Sequence, residues 1–140
     1  MKNKFLFLAL TVSVIGFVAV SCDDTEPPKS DFDLFIEELN TYSHYQAQNG
    51  NTVYYKTNLF ITEVDALSNK MTQMATAAGF YLGLQENGTV SLTSIAAEMR
   101  PADGYWFLTC SMAPDQKSFT SMAGVRSGQN ITVGVRSGVR

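Results

Sequence analysis

The chain has 140 residues, of which 45% are hydrophobic, and its 10 basic and 13 acidic residues give a formal net charge of −3. This length is sufficient for one domain with a modest core and argues against two domains. The acidic balance excludes nucleic acid as an expected partner, because contact with a phosphate backbone requires a surplus of basic residues.

The N-terminus has the organisation of a secretory leader. A short cationic segment, Met1–Lys4, is followed by sixteen uncharged positions from Phe5 to Val20. That run is shorter than the about 20 apolar residues that a membrane-spanning helix needs. A cationic head followed by such a run is typical of a cleaved signal, so we predict that residues 1–21 are a signal peptide.

The residues at the end of this leader, Ala19-Val20-Ser21-Cys22, place a small residue directly before a cysteine. This segment resembles the lipobox of bacterial lipoproteins, and the resemblance covers only residues 1–22. It implies that Cys22 becomes the lipidated N-terminus and anchors the protein to a membrane of the cell envelope. The acidic residues Asp23, Asp24 and Glu26 resemble both an inner-membrane retention signal and a surface-export signal. Of the two, we favour the outer membrane or cell surface.

The mature chain is predicted to begin with a tether. Cleavage removes Lys2 and Lys4, so the net charge becomes −5. Residues 22–30 are polar and contain Pro27 and Pro28, so they cannot bury apolar surface and should form a flexible segment. Residues 31–140 are then a single globular domain.

Two stretches show helical periodicity. Ser30 is a candidate N-cap for a first helix, whose apolar positions recur at three- and four-residue spacing: Phe32, Phe35, Ile36, Leu39 and Tyr42. This helix should end by Asn49-Gly50, although the same dipeptide is also typical of a hairpin turn leading into Thr52–Tyr55. Similar spacing from Phe60 to Ala78 predicts a second helix, with Gly79 as its C-terminal cap.

The remainder of the chain has the alternation of β-strands. A three-residue turn, Glu86-Asn87-Gly88, would place Leu84 opposite Val90 and make one face of a hairpin uniformly apolar. Tyr105–Met112 is the most β-prone segment and is predicted to be a central strand, with Trp106, Leu108, Cys110 and Met112 on one side. Further strands are predicted near 119–126 and 130–136. The predicted fold is α+β, with two helices packed on one face of an antiparallel sheet of about five strands.

Residues that carry catalytic or metal chemistry are sparse. His44, placed by periodicity on the first helix, is the chain's single histidine and is expected to be a surface residue. Cys110 lies in an apolar run and is predicted to be a small buried hydrophobe. The acids Glu63, Glu86, Glu98 and Asp103 are isolated along the chain, and the glycines form no phosphate loop. We therefore predict no enzyme activity, no catalytic residue, no cofactor and no metal.

Two sets of residues are candidates for interaction. Tyrosine is favoured at interfaces, which singles out Tyr42, Tyr45, Tyr54 and Tyr55. The pentapeptide Gly-Val-Arg-Ser-Gly occurs at 124–128 and again at 134–138. Its arginines, Arg126 and Arg136, are candidates for a small anion-binding surface.

The predicted function is an envelope-anchored binding or assembly module with a protein or glycan partner. The alternative is a small inhibitor of an extracytoplasmic enzyme of the cell wall or of a host. Such an inhibitor would present a rigid turn, for which residues 86–88 and 101–104 are candidates.

Overall fold

A computed structural model of the chain describes residues 27–140 and has an α+β fold, as predicted. The predicted signal peptide, the lipidation at Cys22 and the first part of the tether lie outside the described residues. The elements in chain order are α1 (Asp31–Leu39), β1 (Ser43–Gln46), β2 (Thr52–Leu59), α2 (Ile61–Ala77), β3 (Tyr81–Leu82), β4 (Glu86–Ser91), β5 (Trp106–Met112), β6 (Ser118–Ser127) and β7 (Asn130–Val139).

The sheet is antiparallel and has seven strands, so the prediction of about five strands was too low. Its order is β1-β2-β5-β6-β7, and both β3 and β4 pair with the outer side of β7. The prediction of a central strand at 105–112 is confirmed, because β5 lies between β2 and β6.

Helix α1 is shorter than predicted and ends at Leu39. Its start is as expected, because the Ser30 hydroxyl accepts a hydrogen bond of 3.0 Å from the Asp33 amide. At its end, the Thr41 hydroxyl donates to the carbonyl of Glu38 over 2.7 Å, and the chain turns into β1. The alternative hairpin is therefore the correct one: β1 pairs with β2, and Gly50 takes a φ of 90° in the connecting turn.

Helix α2 matches the predicted second helix. The amide of Phe60 donates to the Glu63 carboxylate over 2.8 Å at its start, which satisfies one backbone group at the N-terminus. Gly79 follows its end with a φ of 95°, a conformation that favours glycine. Val64, Met71 and Ala75 are buried on this helix.

The predicted hairpin across residues 80–92 was wrong. Strands β3 and β4 do not pair with each other, since each pairs with β7, and Leu84 is 91% exposed. The long strand β7 pairs with both segments, and its backbone groups form hydrogen bonds with each of them. The register shifts by one residue between them, so residues 83–85 form a bulge on the edge of the sheet.

Hydrophobic clusters cover both faces of the sheet. Between the helices and the sheet, the Phe80 ring lies 5.6 Å from Phe35 and 4.9 Å from Phe119, centroid to centroid. On the opposite face, Phe107 and Ile131 pack beneath the irregular segment 92–99, which contains two short 3₁₀ turns. The helices therefore cover one face only, as predicted, and a non-helical segment covers the other.

Candidate functional site

The face of β6 and β7 that points towards α2 carries small side chains where a core would need large ones. Ser121 lies opposite Arg136, and Ala123 lies opposite Gly134. These positions share a face with Phe119, which fills the core two residues earlier along β6. Because Ser121, Ala123 and Gly134 cannot fill the space beneath the helix, the packing there is open.

The facing side of α2 is also small and polar. After the buried Val64, Ser68 and Thr72 follow at four-residue spacing, which places them on the same side of the helix. Two adjoining cavities result, a narrow one of about 40 Å³ and a wider one of about 260 Å³. Both are lined by Ser68, Gln85, Ala123 and Gly134, so we treat them as one continuous helix–sheet groove.

The bulge between β3 and β4 contributes Gln85 to this groove. A Cβ atom at Gly134 would lie 2.8 Å from Gln85 Nε2, so the absence of a side chain at 134 lets Gln85 approach the strand. Gln85 Nε2 donates to the side-chain oxygen of Asn87 over 3.0 Å. Bulges commonly redirect a side chain towards a binding site, and this one directs Gln85 into the groove.

Arg136 lines the narrow part of the groove and lacks a partner. Within residues 27–140 its Nε is shielded from solvent without a hydrogen-bond acceptor, and its guanidinium takes part in no ion pair. The other three arginines each donate to backbone carbonyls: Arg100 Nε to Ile95 at 2.8 Å, Arg126 Nε to Gly128 at 2.7 Å, and Arg140 Nε to Gln116 at 3.3 Å. A buried N–H without an acceptor is costly, and this Nε is the one buried side-chain polar atom of residues 27–140 that lacks a hydrogen-bond partner.

The groove separates two opposite charges. Among its lining residues in the described part of the chain, Arg136 is the one cation and lies in the narrow part. Asp65 is the one carboxylate and lines the wider part, together with Asn87, Trp106 and Thr132. The two ends therefore differ in the charge of the groups they would accept.

The two repeat arginines do not form a shared surface. In the β6–β7 register Arg126 faces Ile131 and Arg136 faces Ser121, which places their side chains on opposite faces of the sheet. Arg126 instead supports a turn, because its Nη1 donates to the carbonyl of Pro101 over 3.1 Å. Of the two predicted anion-binding residues, only Arg136 reaches the groove.

The four candidate tyrosines are likewise divided between the two faces. Tyr42 and Tyr54 are 4% and 6% exposed and belong to the core beneath the helices. Burial, reinforced by the nearby Glu38 carboxylate, raises the pKa of Tyr42 to about 12. Tyr45 and Tyr55 pack against the cluster on the other face, with ring centroids 6.1 Å apart. The tyrosines therefore do not form one interaction surface.

The remaining chemistry-bearing residues are dispersed. Cys110 is fully buried, as predicted, and burial raises the pKa of its thiol to about 12, which keeps it protonated and unreactive. His44 is exposed but lies on β1, so its placement on the first helix was wrong. Glu63 caps its own helix, and the Asp103 carboxylate accepts from the Gly128 amide over 2.8 Å. Residues 27–140 contain no cluster of three or more potential metal ligands.

A second surface surrounds the turn at residues 101–104. Three hydrogen bonds that involve side chains tie this turn to the rest of the domain: the Arg126 guanidinium to Pro101, the Asp103 carboxylate to Gly128, and the Ala102 amide to Asn58 Oδ1 at 2.7 Å. Beside it the rings of Phe60 and Tyr105 lie 5.5 Å apart and remain 61% and 37% exposed. The other candidate turn, at 86–88, is part of strand β4.

Sequence reasoning missed Ser68, Thr72 and Gln85 as groove residues. Ser68 and Thr72 interrupt the apolar face of the second helix, and this interruption was the available signal. The side chain of Gln85 could not be placed without the bulge. In the part of the chain that the structure describes, neither helix combines the length and hydrophobicity that crossing a bilayer requires. No protein-family model, curated protein or solved structure matches this chain.

Proposed function

We propose that this chain is an envelope-anchored lipoprotein whose folded domain binds a small polar ligand in the helix–sheet groove. The observation that carries the proposal is the buried, unpartnered Nε of Arg136 in a groove lined by hydroxyl and amide groups. Ligand sites are concave and place a few convergent polar groups among apolar ones. The groove has this composition, since Met71, Leu82 and Phe119 line it beside Ser68, Thr72 and Gln85.

A core defect explains the groove less well. A void that only weakens packing costs stability, and a sequence can remove it with one larger aliphatic residue at Ser68 or Ala123. Here both the helix and the sheet carry small or polar residues at the same place, and the bulge brings in an amide. Three separate elements therefore contribute to the same opening.

The groove can be tested with a fragment library of neutral, cationic and anionic compounds, read by ¹⁵N–¹H spectra of the mature protein. We expect the fragments that bind to shift the amides of Ser68, Thr72 and Gly134. Replacing Ser68 with tryptophan should fill the groove and abolish these shifts, whereas the same change at exposed Gln73, on the other side of α2, should leave them intact. Binding that persists in the Ser68→Trp variant, or hits confined to other surfaces, would refute the site.

The anchor is tested separately from the groove. Lipidation at Cys22 would add acyl chains that contribute about 0.8 kcal/mol for each buried methylene, so the protein should partition into the detergent phase of an envelope extract. The Cys22→Ala variant should lose the lipid mass and the partitioning. A wild-type protein that is water-soluble and carries no lipid mass would contradict the anchor and leave the groove proposal standing.

The second candidate function is inhibition of an extracytoplasmic enzyme. The turn at 101–104 supports it, because three side-chain hydrogen bonds help to hold it in place and the exposed rings of Phe60 and Tyr105 flank it. Rigid backbone and aromatic anchors lower the entropic cost of inserting a turn into an active site.

For this candidate we expect the mature protein to slow at least one cell-wall hydrolase, of either the producing cell or a rival. The double variant Phe60→Ala/Tyr105→Ala should lose this inhibition, and Leu84→Ala, at an exposed apolar residue away from the turn, should keep it. Unchanged hydrolysis rates across a panel of glycosidases, amidases and endopeptidases would eliminate the inhibitor function.

A further inference from the structure

The geometry points to a carboxylate as the group that the helix–sheet groove recognises, held by the guanidinium of Arg136, in a small molecule whose other end is polar. This inference rests on the proposed function, because it names the ligand class of the same groove.

An anion is favoured by the state of Arg136. Its Nε has lost contact with solvent and has no acceptor within residues 27–140, whereas Arg100, Arg126 and Arg140 have carbonyl acceptors. An acceptor of opposite charge placed at the remaining N–H groups of the guanidinium compensates the lost hydration best, because charge-assisted hydrogen bonds are stronger than neutral ones.

The charge of the groove favours a carboxylate over a phosphate. Arg136 is the only cation among the lining residues that the structure describes, so one positive charge is available where a phosphate dianion would require more. The narrow part measures about 40 Å³. A single water needs about 10–15 Å³, so the narrow part has room for a small group such as a carboxylate.

The wider part of the groove defines the rest of the ligand. Its volume of about 260 Å³ is bordered by the Asn87 amide, the Thr132 hydroxyl and the Trp106 side chain. Asp65 at this end would repel a second acid and would accept hydroxyl or ammonium groups. A ligand with one carboxylate and a hydroxylated or amide-bearing body satisfies both ends, and either an acidic sugar or an acylated amino acid has this chemistry.

The experiment compares each acid with its own neutral amide on the full mature protein. The probes are D-glucuronate against D-glucuronamide, and N-acetylalanine against N-acetylalaninamide, titrated while the Arg136 Nε–H signal and the groove amides are recorded by NMR. We expect at least one acid to shift these signals and to bind about ten- to a hundredfold more tightly than its amide. The acid that binds identifies the source as a sugar or an amino acid.

Three variants assign the effect to Arg136. Arg136→Met should reduce the affinity for the acid to that of the amide, and Arg136→Lys should retain part of it, because lysine keeps the charge but loses the planar fork. Lys117→Met removes one positive charge from an exposed position outside the groove and should change nothing. Retained acid binding in Arg136→Met would overturn the inference.

The results also separate this inference from the proposed function. If the amides shift the groove signals as strongly as the acids do, the carboxylate assignment fails and the groove remains a binding site. If neutral fragments alone bind there, the outcome is the same. If no probe and no fragment shifts the groove, both the inference and the proposed function fail.

Discussion

Alanine at position 124 is expected to lower the free energy of unfolding by about 2–3 kcal/mol, the upper part of the range for overpacking a core. Gly124 lies in β6 on the face opposite the helices, and a Cβ there would lie 2.5 Å from Phe107 Cε1, 2.8 Å from Ile131 Cγ2 and 2.9 Å from Val133 Cγ1. All three neighbours are buried, so none can move aside without disturbing the second core. Urea denaturation of the mature protein measures the change as a lower midpoint at constant slope.

Gly88→Ala is the matched control for this prediction. Gly88 also lies within a strand, but no atom outside its immediate neighbours lies within 4 Å of the place that a Cβ would occupy, and its φ is not positive. Alanine there should stabilise by about 0.5 kcal/mol, because it restricts the unfolded chain and fits the strand better than glycine. Equal effects of the two substitutions would show that backbone freedom, and not close packing, is what glycine provides at 124.

The error in the strand pairing across 80–92 has a physical origin. A local hairpin across 80–92 was predicted because a three-residue turn would have made one of its faces uniformly apolar. The actual partner of both segments is β7, which begins at Asn130 and is distant in sequence. Local alternation fixes which side chains share a face but does not identify the partner strand. The pairing therefore depended on non-local contacts that one sequence does not display.

At the end of the first helix, one of the alternatives that the sequence offered was correct. The sequence left two interpretations of Asn49-Gly50, a helix end or a hairpin turn, and the hairpin is correct. The apolar spacing extended to Tyr42, which is buried in the same core as Phe35 and Leu39 although it lies beyond the helix. Burial of a residue at helical spacing is thus not sufficient evidence that the helix continues.

The repeated pentapeptide illustrates how strand register decides which face of the sheet a side chain occupies. Identical pentapeptides in β6 and β7 place Gly124 and Arg126 on one face and Gly134 and Arg136 on the other. The two-residue turn at 128–129 fixes this arrangement, and Gly128 takes a φ of 62° there. The sequence identified Arg136 as a candidate, but the lack of an acceptor for its Nε among residues 27–140 emerged only with the positions of α2 and the bulge.

Arg136→Met is expected to stabilise the domain while removing its proposed ligand contact. A shielded N–H without an acceptor costs about 1–3 kcal/mol, and because the residue is only half-buried we expect a gain of about 1 kcal/mol in the free energy of unfolding. For a domain of this size the melting temperature should rise by roughly 4 °C. Methionine keeps the length of the aliphatic stem, so the apolar part of the side chain should still line the groove beside Phe119 and Leu82.

Lys117→Met provides the reference, since an exposed substitution of this kind should stay within about 0.5 kcal/mol of the wild type. Binding residues often reduce stability, because their polar groups are held ready for a ligand that the free protein lacks. At a concentration that saturates the wild type, the acid should then raise the melting temperature of the wild type more than that of Arg136→Met. A variant that is less stable than the wild type would mean that the guanidinium contributes to folding, and the reason for expecting an anion at this position would be lost.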